Sequence, residues 1–287
     1  MVNSIKLFFK GFIMGIANII PGVSGGTLAI ILGIYERFLE AISHFFQNFK
    51  DNIRFLIPVF LGIGISLISM SNVIDYSYKH YPLPTTVFFV GLVLGGIPLL
   101  INKTKKEKNK NMLVNVLAFV LTFSLVIVMA LADKLFGMSK EVVLNNLSLI
   151  GYIKVLFVGC IASATMIIPG VSGSLVLMLL GYYYPIIGLI KALTHFNNII
   201  GNMVVLGTFG IGILIGLVLI AKLLEYLFKK HSKATYCGVL GFIFASLIAI
   251  PVSSFNIISK CVSVAQILIS IISLGLGCLI AYKLGEK

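Results

Sequence analysis

Two short stretches hold most of the residues whose types and spacing could do chemistry. Pro21-Gly22-Val23-Ser24-Gly25-Gly26 and Pro169-Gly170-Val171-Ser172-Gly173-Ser174 share five consecutive identities, and both lie among apolar residues. Proline ends an incoming helix, and glycine admits positive φ and close approach of a ligand to the backbone. A helix restarting after such a turn has free amides, with Ser24 or Thr27 in the first copy and Ser172 or Ser174 in the second available as caps. Amides and hydroxyls gathered at a helix start suit an anion, phosphate above all. Gly22, Val23, Ser24, Gly25, Gly26, Thr27, Gly170, Val171, Ser172, Gly173 and Ser174 are therefore the candidate phosphate-binding set, with Pro21 and Pro169 shaping the turns.

A helix terminus contributes only about 0.3–2 kcal/mol toward holding an anion. Exposing a charge to hydrocarbon costs from several to more than about ten kcal/mol, so the turns need cations, hydroxyls or water beside them. Arg37 is the candidate cation, and Glu36 beside it either holds Arg37 or exchanges a proton. The second copy has Tyr184 and Pro185 at these positions, so whatever the pair does is not duplicated.

The elements that must position these groups follow from composition. Of 287 residues 59% are hydrophobic and 11% charged, beyond what a water-soluble core needs. Uncharged runs near the length that crosses about 30 Å of hydrocarbon cover 55–74, 86–102, 112–132, 201–221, 236–252 and 262–282. The net charge of +13 comes from lysines in short connections, which reads as a topology signal and not as a nucleic-acid surface. Cys160, Cys237, Cys261 and Cys278 show no CxxC spacing and read as small packing residues, so neither a metal nor a cofactor is expected.

The chain is a duplication. Gly11 matches Gly159, Gly33 matches Gly181, Tyr35 matches Tyr183, and with small gaps His44-Phe45 matches His195-Phe196 and Gly91 matches Gly241. The halves are 1–147 and 148–287. The apolar pieces leading into each motif are too short to span comfortably, which leaves either re-entrant hairpins or one broken spanning helix. Lysine-rich segments 103–110 and 222–233 decide for hairpins: positive residues favour the cytoplasmic side, and two spans already return the chain there. The expected fold is an all-α polytopic membrane protein of two inverted repeats, each a re-entrant hairpin (8–43; 153–195) plus three transmembrane helices, with both termini cytoplasmic. Inverted repeats with interrupted helices meeting near the midplane are the architecture of alternating access.

The paired turn, followed by Gly33-Ile34-Tyr35-Glu36-Arg37 in the first copy and Gly181-Tyr182-Tyr183 in the second, resembles a bacterial membrane family once listed as a domain of unknown function and now regarded as polyprenyl-phosphate transporters. The resemblance runs through essentially the whole chain. It implies that the cargo is undecaprenyl phosphate, the lipid carrier of envelope polymers, recycled from the outer to the inner leaflet of the bacterial plasma membrane. The tail is too long to enclose and is expected to stay among membrane lipids while the phosphate passes the hairpin tips. Carrying an anion inward opposes a negative-inside potential by roughly 2.3 kcal/mol per charge per 100 mV, which proton inflow through Glu36 would offset. Both a monomer and a homodimer fit.

Enzyme readings are weaker. Gly22-Val23-Ser24-Gly25-Gly26 also fits the G-x-S-x-G pattern, but a serine nucleophile needs a base within hydrogen-bond reach. His44, His80, His195 and His231 all lie at segment ends. A lipid phosphatase lacks its His, Asp and Arg cluster. A channel or transporter for a small soluble anion is the alternative, because opposed hairpins also build pores.

Overall fold

A computed structural model describes residues 4–19, 24–107, 111–136, 142–144, 147–171, 173–194, 199–258 and 264–285. Among them every regular element is helical: α1 (Ser4–Ile19), α2 (Gly25–Ile31), α3 (Tyr35–Ser43), α4 (Phe49–His80), α5 (Pro82–Lys106), α6 (Met112–Phe136), α7 (Leu149–Ile167), α8 (Gly173–Leu179), α9 (Tyr183–Thr194), α10 (Ile199–Lys230), α11 (Ser232–Ile258) and α12 (Val264–Gly285). Seven of the described helices have the length and apolarity to cross a membrane, α4 to α7 and α10 to α12. The seventh, α7, has 19 residues and was expected within hairpin 153–195. The long helices exceed the expected spans; α4 and α10 have 32 residues each, about 48 Å at 1.5 Å per residue.

Matched segments of the sequence repeat pack on matched partners. α1 lies on α4 as α7 lies on α10, while α5 pairs with α12 and α6 with α11, so the two halves interlock. Backbone contact is made possible by glycine. A Cβ on Gly11 would strike the Val59 carbonyl and one on Gly159 the Phe209 carbonyl, which brings α1 to α4 and α7 to α10 at equivalent levels. One turn further along, Gly15 of α1 faces Ser66 of α4, and at the matching places Ser163 of α7 faces Gly216 of α10. The small pair is kept with its members exchanged. Likewise Gly91 of α5 meets the Leu274 carbonyl of α12, and its repeat partner Gly241 of α11 meets the Phe119 carbonyl of α6.

These contacts also fix direction. Gly11 sits at Val59 and Gly15 at Ile63 and Ser66, so α1 runs parallel to α4. Gly159 sits at Phe209 and Gly212, and Gly216 at Cys160 and Ser163, so α7 runs parallel to α10. The lysine-rich segments come together, since Lys233 Nζ donates to the Glu107 carbonyl at 3.3 Å. Large apolar side chains such as Ile68, Leu121, Leu219 and Ile271 stay exposed around the outside, which suits lipid and not water.

The returning arm of each motif region is not one helix, as a simple hairpin over 8–43 or 153–195 would have it. It breaks again at Gly33 (φ +68°) and Gly181 (φ +76°), which leaves α2 and α8 with seven residues each. The left-handed region costs a side-chain-bearing residue roughly 1–2 kcal/mol, and glycine removes that cost. Lys10 Nζ of α1 donates to the Leu32 carbonyl at 2.6 Å, satisfying one of the acceptors left open where α2 ends.

Candidate functional site

The described residues of the two motif regions meet. Of the first turn, Pro21, Gly22 and Val23 lie outside the described residues, as does Ser172 of the second. From Ser24 onward the contact is explicit. Ser24 Oγ donates to the Ile168 carbonyl at 3.2 Å, and the Gly170 amide donates to Thr27 Oγ1 at 2.9 Å. Tyr35 Oη donates to the Ile167 carbonyl at 3.1 Å. A Cβ on Gly26 would collide with that same carbonyl, so only glycine lets α2 come this close to the end of α7. Gly170 takes φ +78° beside it. Carbonyls and amides freed where α7 stops at Ile167-Ile168-Pro169 are satisfied by side chains of the first repeat, because buried backbone groups must find partners.

The expected caps are arranged differently. Ser24 occupies the N-cap position of α2 with extended backbone, yet its hydroxyl turns to Ile168 and makes no cap bond. Asn18 of α1 does the capping instead, accepting from the Gly25 amide at 2.9 Å. The sequence does not single out Asn18, because a lone amide near the end of an apolar run carries no spacing signal. At seven residues α2 and α8 are too short for much of a dipole, so charge stabilisation falls to side chains.

Those side chains line a separate cavity of about 570 Å³. Arg37, Lys103 and Lys229 face it together with Glu36, Glu40, Glu225 and Tyr236. It lies at the lysine-rich end, where α5 and α10 finish and α11 begins. Every cation has a carboxylate partner: Arg37 Nη1 with Glu40 at 3.1 Å, Lys103 with Glu36 at 3.0 Å and Lys229 with Glu225 at 2.6 Å. Arg37 also donates to Asn52 Oδ1 at 2.9 Å. Arg37 and Glu36 therefore pair with other residues and not with each other. Glu36 accepts from Tyr236 Oη at 2.5 Å as well. Burial pushes the Glu36 carboxyl up, but the hydrogen bonds from Tyr236 and Lys103 and the lysine charge outweigh it and hold the group below its ordinary value.

Glu225 anchors α3 to α10. It accepts from Ser43 Oγ, and His44 Nδ1 lies 3.2 Å away. The same carboxylate–lysine pair ends α4, where Asp75 and Lys79 are 2.6 Å apart, but there the carboxylate is 61% exposed against 11% for Glu225. Equivalent pairs on the two long helices thus stand in unlike surroundings.

A second cavity of about 440 Å³ adjoins the turns. Asn18, Ser24, Gly25, Gly26, Val171 and Gly173 border it on the motif side, and its remaining walls are mainly apolar, from Met14 and Phe60 to Leu217. Tyr35 lines both cavities. The structure therefore gathers the described motif residues, sets Arg37 and Glu36 apart from them beyond Tyr35, and adds Lys103, Lys229, Glu225 and Tyr236. The side chain of Ser174 lies outside the described residues. Among the described residues no cluster of His, Cys, Asp and Glu is arranged to hold a metal ion.

Helices of this length and surface, a junction of duplicated turns and a cation-bearing cavity beside it define a polytopic membrane protein. The chain belongs to the family described as VCA0040-like, undecaprenyl phosphate translocase-like, whose model matches residues 14–263. It is 33% identical over 271 residues to a polyprenyl-phosphate transporter of Staphylococcus aureus (strain NCTC 8325 / PS 47), covering 93% of this chain and 94% of the relative. It is 28% identical over 260 residues to a polyprenyl-phosphate transporter of Vibrio cholerae serotype O1 (strain ATCC 39315 / El Tor Inaba N16961), covering 86% of this chain and 77% of that one. No solved structure matches the chain.

Proposed function

We propose that this protein carries polyprenyl phosphate, in the first place undecaprenyl phosphate, from the outer to the inner leaflet of the bacterial plasma membrane by alternating access. The observation that carries the reading is a juxtaposition: a cavity with three cations on one side, a mainly apolar cavity on the other, and beside the apolar one Ser24 and Thr27 of the first motif bonded to Ile168 and Gly170 at the second. An amphiphile with an anionic head needs both kinds of surface. The relatives named as polyprenyl-phosphate transporters, aligned over most of the chain, supply the class of cargo.

Inverted re-entrant repeats fit the packing. With α1 parallel to α4, both start at the end where the lysine-rich segments gather, so the first motif region leaves by the face it entered. With α7 parallel to α10, the second region does the same at the opposite end. Exchange of conformation between two such halves opens the site first to one face and then to the other. In the conformation described, Ser24 and Thr27 are occupied with the opposing turn and Arg37, Lys103 and Lys229 with carboxylates. Phosphate would be taken up by exchange of these partners: the cations from the carboxylates, then the hydroxyls and amides of Gly22 to Thr27 and Gly170 to Ser174 as the junction parts. Glu36, ionised here by Lys103 and Tyr236, would take up a proton when those partners leave it, which couples the return of the carrier to proton flow. The polyprenyl tail stays in lipid along the apolar side.

Reconstitution tests the cargo. Movement of undecaprenyl phosphate between liposome leaflets should saturate, and a short-chain polyprenyl phosphate should compete while the unphosphorylated alcohol and inorganic phosphate should not. Transport of inorganic phosphate into the liposomes, with no movement of the lipid, would transfer the reading to a soluble anion.

A further inference from the structure

The two cavities share one lining residue. Tyr35 lines the cation-bearing cavity and the apolar cavity alike, is 3% exposed, and stands at the start of α3 just beyond the Gly33 break. Its ring is held at both ends: Oη donates to the Ile167 carbonyl across the junction, and the ring meets Phe228 of α10 edge-on with centroids 5.9 Å apart. Tyr183, its repeat partner just beyond Gly181, lines only the apolar cavity of the two and is intermediate in exposure. Two equivalent tyrosines, each following a positive-φ glycine, thus differ in one conformation: Tyr35 is buried, bonded to the opposite repeat and shared by both cavities, while Tyr183 is more exposed and lines the apolar cavity alone of the two.

We propose that Tyr35 is the gate between the two cavities and that Tyr183 is its counterpart in the conformation facing the other way. The inference rests on the alternating-access reading but not on the identity of the cargo. The chemistry fits a gate. A phenol closes an apolar constriction with its ring, while its single hydroxyl holds one carbonyl that is left open where α7 ends. Breaking that hydrogen bond frees the ring to swing about the Gly33 break, where a backbone without a Cβ turns at low cost. The Ile167 carbonyl would meanwhile need another donor, and a cargo phosphate, which only accepts in its dianionic form, cannot supply it; water or a hydroxyl of the opposing turn can. Closing one gate as the other opens would keep the two faces from being connected at once, the condition for transport against a gradient.

The test reads access and not transport. In a variant with Cys160, Cys237, Cys261 and Cys278 replaced by Ser, a reporter cysteine at Leu177, which lines the apolar cavity but not the charged one, is exposed to a charged, membrane-impermeant thiol reagent applied from the lysine-rich face of sided membrane vesicles. With Tyr35 present the reporter should be labelled slowly. Tyr35→Phe keeps the ring and loses only the hydroxyl, so labelling should rise by about tenfold, the change given by one hydrogen bond in a two-state equilibrium. Tyr35→Ala should raise it further, and Tyr183→Ala should leave it as it was. Labelling of a second reporter on the lysine-rich surface at Lys50, unchanged across the set, certifies the fold. Labelling at Leu177 that is the same in Tyr35→Ala as with Tyr35 present, or that rises equally in Tyr183→Ala, would overturn the gate. Because no lipid is moved in the assay, these outcomes stand whether or not polyprenyl phosphate proves to be the cargo.

Discussion

Thr27 Oγ1 accepts a hydrogen bond of 2.9 Å from the Gly170 amide across the centre of the chain, and Thr27 is 1% exposed. One hydroxyl of the first repeat thereby completes the backbone of the second. Thr27→Val keeps the shape and removes the acceptor, which strands a buried N–H at a cost of about 1–3 kcal/mol. Purified Thr27→Val should unfold at lower temperature than the parent protein, and Thr27→Ser, which keeps the oxygen, should recover most of the loss.

Gly26 and Gly33 should respond to alanine in different ways. A methyl at Gly26 meets the Ile167 backbone carbonyl, which cannot step aside without parting the junction. At Gly33 nothing lies within 4 Å, and only the φ of +68° is strained. Gly33→Ala is expected to cost about 1–2 kcal/mol and, because the Tyr35 gate swings about this break, to slow transport without abolishing it. Gly26→Ala should cost about 1–3 kcal/mol or more and should abolish transport. Thermal unfolding and leaflet assays run side by side separate the two.

Glu225 joins α3 to α10 through Ser43 and His44 while pairing with Lys229. Ser43→Ala and Glu225→Gln should therefore not be additive. A double-mutant cycle on stability is expected to return a coupling of about 0.5–3 kcal/mol, and hydrogen exchange should show earlier opening of α3. Additive effects would mean that the two side chains do not hold the helices together.

Glu36 gives a pH prediction with a definite sign. Its carboxyl lies below the ordinary value in the folded protein, so its partners stabilise the fold above the unfolded pKa, and that stabilisation is lost as pH falls through the folded one. Acid stability below about pH 4.5 should weaken less in Glu36→Gln than in the parent, because the variant has no such contribution to lose. Tyr236→Phe should move the Glu36 carboxyl back up, visible in the chemical shift of the labelled side chain against pH. Transport by Glu36→Gln with an unchanged pH dependence would remove Glu36 from proton coupling.

Much of the fold is legible because lipid makes demands on sequence that water does not. Uncharged runs mark the long helices, and the repeated Pro-Gly-Val-Ser-Gly marks the turns that meet. Gly33 and Gly181 were legible as repeated residues but not as breaks, because residues on both sides remain apolar and φ leaves no trace in composition. Asn18 was hidden for a related reason: its partner is a backbone amide, which every residue owns. The charged cavity was legible only in part. Arg37 and Glu36 stand out within the apolar first motif region, whereas Lys103 and Lys229 are indistinguishable from the other lysines of their segments, and only the packing of α5, α10 and α11 brings them to one space.

In the proposed cycle the headgroup crosses where the two motif regions meet. The most direct test is the leaflet distribution of undecaprenyl phosphate in liposomes carrying the wild-type chain or the Ser24→Ala, Ser172→Ala double variant. Loss of two hydroxyls that would bind the phosphate should slow saturable movement by about tenfold to a hundredfold while the protein stays folded. Movement by the double variant at the wild-type rate would contradict the claim and place the crossing elsewhere in the molecule.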